Sequence, residues 1–225
     1  MVKPAAFKDQ RKKMVHEQIF LRGIRDERVL RAMLEVPRHL FVPKKLQNRA
    51  YHDGALQIAK QQTISQPYIV ARMSELLRLG GGETVLEIGT GSGYQAAILS
   101  KLAGKVYTLE LHQQLADGAA EILARLGIQN VRVICADGSC GWPQAAPYDA
   151  ILVAAAAPKV AAPWLEQLKD GGRLTLPVGG PQGQYLQYWE RQGNRYDHED
   201  IVSVSFVPLR GKYGWKKGEW DRDTK

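Results

Sequence analysis

The sequence predicts an α/β protein with a doubly wound, mostly parallel Rossmann-like sheet, an N-terminal helical extension and a C-terminal antiparallel hairpin. Three observations predict this fold. From residue 84 onward, short apolar segments typical of buried strands alternate with segments of helical periodicity, an order that requires a parallel sheet with right-handed crossovers. A turn with alternating glycines follows the first strand. Acidic residues stand at the ends of the next two strands.

The N-terminal part is predicted to be mainly helical. Residues 8–35 carry apolar side chains at helical spacing, with Asp26 as the N-cap of a second helix and Pro37 just beyond its end. Residues 38–67 are irregular and polar, and helical periodicity returns over 69–79.

The remaining elements follow from residue 84 in order. The predicted strands are 84–88, 105–109, 131–136, 148–154 and 173–178, and the predicted helices are 93–103, 112–126 and 160–169. Two further apolar runs, 185–190 and 201–207, flank the polar residues 191–200. They predict the C-terminal hairpin, with the polar stretch as its connection.

The length of 225 residues fits one well-buried domain. We expect this single domain to comprise helices and an active-site segment (1–80), the Rossmann-like core (81–211) and a basic tail (212–225). No apolar run approaches the ~20 residues needed to cross a bilayer. The N-terminus lacks a secretory apolar core, so we expect a cytoplasmic protein, and we expect it to be a monomer.

Charge and metal-binding residue types point to no special partner. The formal net charge of +8 is concentrated near the two ends of the chain, which favours a solvated basic face over a nucleic-acid site. The two cysteines, Cys135 and Cys140, are spaced neither as a redox pair nor as a zinc cluster and are interpreted as reduced core or loop thiols. The five histidines form no helical ligand pair, so no metal is expected.

The glycine turn indicates a nucleotide-type cofactor. Gly89 and Gly91 match the first two glycines of the dinucleotide fingerprint, but Tyr94 occupies the third place and Gly93 comes one residue early. With Glu87 at the end of the strand, the pattern Glu-x-Gly-x-Gly-x-Gly resembles the first motif of class I S-adenosylmethionine-dependent methyltransferases. A dehydrogenase is therefore disfavoured.

Two carboxylates downstream fit the same interpretation. Glu110 ends the second strand, where an acid can accept both ribose hydroxyls. Asp137 follows the third strand, where an acid can receive the adenine amino group. Each alone is as readily a helix cap or a solvated turn. Together, and with the adjoining Leu111 and Gly138, they predict the cofactor site.

The methyl acceptor is indicated by other residues. The stretch 154–158 is Ala-Ala-Ala-Ala-Pro, without the side chains that bind an exocyclic amine in nucleic-acid enzymes of this class. Thr63, Ile64 and Ser65 precede a helix and can face the cofactor site, although on chemistry alone Thr63 and Ser65 are better explained as caps or turn residues.

Here the sequence resembles the protein-L-isoaspartate (D-aspartate) O-methyltransferase family over about residues 11–211. The Thr-Ile-Ser-Gln-Pro segment at 63–67 is the most specific part of the resemblance. Further matching segments include 22–24, 36–43, 50–51, 89–93, 148–151, 155–158, 171–174 and 206–209.

The resemblance implies methyl transfer from S-adenosylmethionine to the α-carboxylate of isoaspartyl residues in damaged proteins, followed by cyclisation to a succinimide. It places the active-site serine at Ser65, to which we assign an orienting hydrogen bond rather than a nucleophilic role. It also implies cofactor contacts from Thr63, Ile64 and the glycine turn.

The sequence departs from the family just before Thr63. Bacterial members usually have Ile-Gly-x-Gly-Gln-Thr, whereas this chain has Ala59 and Gln61 at the glycine positions, with Lys60 between them. A left-handed backbone at either position would cost on the order of 1 kcal/mol or reshape the loop.

Two alternatives to isoaspartyl repair stay open at this point. One is a related carboxylate O-methyltransferase that acts on normal aspartate in a dedicated peptide partner, which the altered loop suggests. The other is a cofactor-binding protein without catalysis that binds nucleic acid through its basic ends.

Overall fold

A computed structural model describes residues 4–222 of the chain. The strands are β1 (Leu56–Gln57), β2 (Thr63–Ile64), β3 (Thr84–Ile88), β4 (Lys105–Glu110), β5 (Val131–Cys135), β6 (Tyr148–Val153), β7 (Leu168–Gly180), β8 (Gly183–Gln192) and β9 (Arg195–Val204). The α-helices are α1 (Pro4–Lys13), α2 (Glu27–Glu35), α3 (Pro67–Leu76), α4 (Tyr94–Leu99), α5 (Gln113–Arg125), α6 (Ala162–Glu166) and α7 (Glu219–Arg222).

The central sheet has seven strands in the order β5-β4-β3-β6-β7-β8-β9. The first five of these pair in parallel, whereas β8 is antiparallel to both β7 and β9. From β3 the chain continues through β4 to β5 at one edge of the sheet, and it then returns to form β6 on the opposite side of β3. A ligand crevice is expected at this reversal, beyond the carboxyl ends of the strands. The doubly wound, mostly parallel sheet of the class I methyltransferase type and its C-terminal antiparallel hairpin are thus confirmed.

The central parallel strands β3, β4 and β6 are almost fully buried, because both faces of this part of the sheet are covered. Val85 and Val106 contribute to the cluster that includes the N-terminal helices, where Met14 is fully buried. Leu86 on the next position of β3 belongs to a second cluster built around Trp164 of α6. One continuous core therefore joins the N-terminal helices to the sheet.

The N-terminal extension is helical, but it is divided differently from the prediction. α1 continues directly into a π-helix (Met14–Phe20), and α2 follows a short break. Asp26 is the N-cap of α2, since its carboxylate accepts hydrogen bonds from the backbone N–H groups of Arg28 and Val29. The stretch predicted to be irregular contains 3-10 turns and the small β1–β2 ribbon.

The predicted antiparallel hairpin is present, but its strands are longer and its connection is shorter than predicted. Residues 191–200 were predicted to be a polar connection, but β8 runs to Gln192 and β9 begins at Arg195. The connection is a tight turn at Gly193 and Asn194, with Gly193 left-handed at φ 60°. Polar residues form strand here because β9 is an edge strand whose side chains are mostly exposed. Burial therefore gives no apolar pattern to detect.

The segment before this hairpin also differs from the prediction. Helix 160–169 is reduced to α6, because β7 begins at Leu168, which pairs with Tyr148 across the sheet. Gly171 is left-handed within this strand, and the pairing shifts register between Tyr148 and Ala150. Gly171 and Gly172 precede the predicted strand 173–178, but in the structure they mark an irregularity inside a longer strand.

We expect Asp26→Ala to lower the free energy of unfolding by about 1 kcal/mol, because the first turn of α2 loses the acceptor of two N–H groups. Urea denaturation with an unchanged m-value would measure the loss. Asp26→Asn is the control, since its amide oxygen can cap the same turn. An Ala variant as stable as the Asn variant would contradict the capping role.

Candidate functional site

A cavity lies at the carboxyl ends of β3 and β4, where the sheet reverses direction. The glycine turn after β3, the start of α4 and the end of β4 line one part of it, and the segment that precedes α3 lines another. Residues 207–210, which follow β9, complete the wall. The lining includes these predicted site residues: Thr63, Ile64, Ser65, Gly89, Gly91, Glu110, Leu111 and Gly138.

The glycine turn is fixed to β4 by backbone hydrogen bonds. The N–H groups of Gly89 and Thr90 both donate to the carbonyl of Leu109, at 2.8 and 3.1 Å. Gly91 lines the cavity with φ 52°, and a Cβ there would have only Ile58 within 4 Å. A glycine at this position therefore permits the left-handed backbone and leaves the main chain accessible from the cavity.

Gly93 serves the packing between the glycine turn and a neighbouring helix. It is buried, does not line the cavity and caps α4 with φ 83°. A Cβ at this position would lie 3.1 Å from the Cβ of Ala119 on α5. Gly93 lets the turn pack against α5, and a direct contact with the cofactor stays a prediction.

Glu110 joins the two strand ends. One carboxylate oxygen accepts a hydrogen bond from the N–H of Gly91 at 2.8 Å, and the other accepts from the N–H of His112 at 3.0 Å. The side chain is 6% exposed and lines the cavity. Each carboxylate oxygen has a second acceptor site, so both can still receive hydroxyl groups from a ligand.

Glu87 lies beneath the turn rather than in the cavity wall. It is completely buried, and neither of its carboxyl oxygens has a hydrogen-bond partner among the described residues. Burial raises the pKa of Glu87 to about 8, the nearby Thr108 hydroxyl opposes that rise, and the charge of Glu110 adds to it. The predicted cofactor contact of Glu87 stays a prediction.

Asp137 accepts hydrogen bonds from Ser139 and Lys212 and is not part of the cavity lining. Its Oδ1 accepts from the N–H and hydroxyl of Ser139 at 2.9 and 2.7 Å, and its Oδ2 accepts from the N–H of Lys212 at 2.8 Å. It thereby holds the C-terminal segment against the end of β5. Gly138 beside it does line the cavity, with the half-exposed side chain of Leu111. The predicted contact of Asp137 with adenine is not tested by this arrangement.

Ser65 lies in the segment that leads into α3. Thr63 and Ile64 form β2, Ser65 is half-buried, and Pro67 is the first residue of the helix. The side chain of Arg38 donates to the Ser65 carbonyl at 2.8 Å. The structure therefore brings Ser65 to the same cavity as the glycine turn and Glu110.

Sequence reasoning missed two arginines near the site. Arg210 lines the cavity and donates to the carbonyls of Trp215 and Lys216. Arg38 is fully buried behind Ser65. Both positions fall in segments without periodicity, so no pattern singled them out. The only available signal was their place inside or beside segments that resemble the family.

The sequence profile of the protein-L-isoaspartate (D-aspartate) O-methyltransferase family matches residues 9–214. The chain belongs to this family. Relatives named protein-L-isoaspartate O-methyltransferase include one from Methanoregula boonei, 55% identical over 96% of this chain and 100% of the relative. A second relative, protein-L-isoaspartate O-methyltransferase 1 from Syntrophobacter fumaroxidans, is 50% identical over 93% of this chain and 98% of the relative.

Solved structures of the same family share the fold. A protein-L-isoaspartate O-methyltransferase superposes with a TM-score of 0.81 at 30% identity, covering 91% of this chain and 67% of the other. A Plasmodium falciparum protein assigned to the family superposes with a TM-score of 0.78 at 25% identity, covering 89% and 98%. The latter was solved in complex with S-adenosyl-L-homocysteine.

The loop that departs from the family pattern is closed by a left-handed residue. Ile58 N–H donates to Gln62, and Gln62 N–H donates to Ala59, at 2.8 and 3.1 Å. The left-handed residue is Lys60, with φ 57° and ψ 34°, whereas Ala59 and Gln61 keep the backbone of the 3-10 turn. The strain considered for the replaced glycines thus falls on Lys60 between them.

The two cysteines differ from the predicted core or loop thiols in one respect. Cys135 is exposed on the edge strand β5, so it is not a core thiol, and Cys140 is partly exposed beyond that strand.

Within residues 4–222, no group of three or more His, Cys, Asp or Glu side chains is arranged to hold a metal ion. Every helix in that range is too short or too polar to traverse a membrane.

We expect Glu87→Gln to flatten the pH dependence of stability. The folded protein holds the Glu87 proton with a pKa of about 8, whereas the unfolded chain releases it near 4.5. The wild type is therefore expected to lose stability as the pH rises from about 5 to about 8, since the folded state binds the extra proton. Urea denaturation across that range would measure the slope. The exposed Glu121→Gln is the control, and equal slopes in wild type and Glu87→Gln would contradict the assignment.

Proposed function

We propose that this protein transfers a methyl group from S-adenosylmethionine to the α-carboxylate of L-isoaspartyl residues, and of D-aspartyl residues, in damaged proteins. Spontaneous cyclisation of the ester to a succinimide then begins repair. The observation that carries the proposal is that one cavity brings Ser65 together with the glycine turn and Glu110 in a chain of this family.

The residues around the cavity fit the cofactor. Glu110 keeps one acceptor site on each carboxylate oxygen, which suits the two hydroxyls of a ribose. Gly91 leaves the backbone accessible, and Leu111 presents apolar surface to a base. The bound cofactor would supply a methyl group already activated by a sulfonium.

The acceptor needs little acid–base help. A peptide carboxylate is ionised at neutral pH, because its reference pKa is about 4. Its oxygen would be the nucleophile that bonds to the methyl carbon of a bound S-adenosylmethionine, and the neutral thioether would be the leaving group. Positioning and partial exclusion of water are therefore the main contributions of the protein.

Ser65 is suited to orientation. Ser65 lines the cavity, and the basic side chain that binds it in the described part of the chain, Arg38, donates to its backbone carbonyl rather than to its hydroxyl. An unactivated hydroxyl is a poor nucleophile. We assign it a hydrogen bond that orients the acceptor carboxylate or the cofactor.

We propose that residues 1–225 act as one cytoplasmic domain, divided at about 80 and 211 into the helical part, the core and the basic tail, and that the protein works as a monomer. The shared core supports the single domain, because Met14 of the extension and Leu152 of the sheet belong to one buried cluster. Size-exclusion chromatography with light scattering would test the monomer.

The wild type should methylate an isoaspartyl peptide and leave the aspartyl peptide of the same sequence essentially unmodified. Labelled S-adenosylmethionine and methanol release after base treatment would measure both. Preference for the aspartyl peptide would instead support the alternative of a carboxylate methyltransferase with a dedicated partner. Salt-sensitive nucleic-acid binding without methyl transfer to either peptide would support a non-catalytic protein.

Ser65→Ala should lower turnover of the isoaspartyl peptide by about ten-fold or more, because the loss of one charge-assisted hydrogen bond removes about 1.5–3 kcal/mol. Its affinity for S-adenosylhomocysteine, measured by calorimetry, should stay near the wild-type value.

Glu110→Gln is the converse variant for that experiment. It should weaken S-adenosylhomocysteine binding by about ten-fold or more, because an amide supplies one acceptor oxygen where the carboxylate supplies two. Ser65→Ala with wild-type turnover would contradict the orienting role.

A further inference from the structure

A buried arginine connects the two sides of the site. Arg38, in a 3-10 turn after α2, is 0% exposed. Its Nε donates to the carbonyl of Ala50 at 2.7 Å, and its Nη2 donates to the carbonyl of Ser65 at 2.8 Å. Its Cζ lies 4.9 Å from the ring centroid of Tyr94. One guanidinium thus contacts three segments that are distant in sequence.

The two contacts nearest the site lie on different walls of the cavity. Ser65 belongs to the wall that precedes α3, and Tyr94 is the first residue of α4, directly after the glycine turn. Arg38 itself does not line the cavity. It therefore touches both walls from behind without reaching a bound molecule.

Stability alone is a poor reason to keep this group buried. The Nη1 of Arg38 has no hydrogen-bond partner among the described residues. Burial lowers the pKa of Arg38 to about 10, so the side chain still carries its charge at neutral pH. Charges are costly to remove from water, and even buried ion pairs are often replaceable by well-packed apolar residues of similar volume without loss of stability. What an apolar residue cannot supply is a rigid fork that fixes two carbonyls.

We propose that Arg38 is a positioning residue for methyl transfer. By holding the Ser65 carbonyl while stacking on Tyr94, it sets the distance between the acceptor-side segment and the glycine turn. The acceptor carboxylate then meets the methyl group in line. This inference rests on the proposed methyl transfer and adds a residue that acts on it only through Ser65 and Tyr94.

Arg28 offers a matched control. Its guanidinium also donates to two main-chain carbonyls, those of Leu79 at 2.9 Å and Leu102 at 3.2 Å. None of these three residues lines the cavity. Arg28→Ala therefore removes a comparable structural fork that is unconnected with the site.

The experiment compares Arg38→Ala, Arg38→Lys and Arg28→Ala with the wild type. Turnover of an isoaspartyl peptide is measured per mole of S-adenosylhomocysteine binding sites, so that unfolded protein does not count. For Arg38→Ala we expect kcat to fall by about ten- to hundred-fold, as misplacement of a reacting group predicts, with cofactor affinity little changed. Millimolar guanidinium should restore part of this kcat by occupying the vacated space. Arg28→Ala should lose stability but keep its kcat per site.

The other outcomes overturn the proposal. A kcat per site within about two-fold of the wild type in Arg38→Ala would do so, as would an equal loss in Arg28→Ala. If Arg38→Ala does not bind S-adenosylhomocysteine, the kcat of Arg38→Lys tests the proposal instead. The lysine ammonium keeps the positive charge but lacks the planar guanidinium that donates to both carbonyls. Wild-type kcat in Arg38→Lys would then refute positioning by the fork. A wild type that methylates no isoaspartyl peptide would instead overturn the proposed function, and this inference with it.

Discussion

The hydrogen bonds between the ends of β3 and β4 are the constraint on which the site depends. The Leu109 carbonyl accepts two N–H groups of the glycine turn, and the Glu110 carboxylate accepts a third from Gly91. These bonds are possible only because the strands are parallel neighbours that end together. They fix the left-handed turn, and with it the direction in which α4 starts. Tyr94, against which Arg38 stacks, is placed by the same turn.

The parallel core and the donor side of the site were predictable from the sequence. Buried parallel strands read as apolar runs, and the residues at their carboxyl ends must share one edge. That reasoning places Gly89, Gly91 and Glu110 around one cavity, as observed. It does not separate Gly91, which serves the cavity, from Gly93, which serves helix packing. The difference arises from Ala119 on α5, a contact that no local pattern reveals.

Other parts could not be predicted because their structure is decided by distant contacts. β9 carries no alternating pattern, since pairing with β8 rather than burial defines it. β7 starts early because Leu168 finds Tyr148 on a neighbouring strand. Arg38 lies in a segment without periodicity. Its partners are main-chain carbonyls, which every residue has, so the sequence contains no complementary side chain that would indicate the contact. The acceptor side was accessible only through resemblance to a family.

The exposed edge of the sheet has a consequence for an enzyme whose substrates are damaged chains. Such chains can be partly unfolded, and extended segments tend to add themselves to open sheet edges. β9 presents a run of charged and polar side chains from Arg195 to Asp200, and its pairing with β8 is interrupted between Leu186 and Gln187. Charges and irregular pairing are the devices by which edge strands resist aggregation. The same polar residues that leave β9 without an apolar sequence pattern thus make this edge a poor template for an added strand.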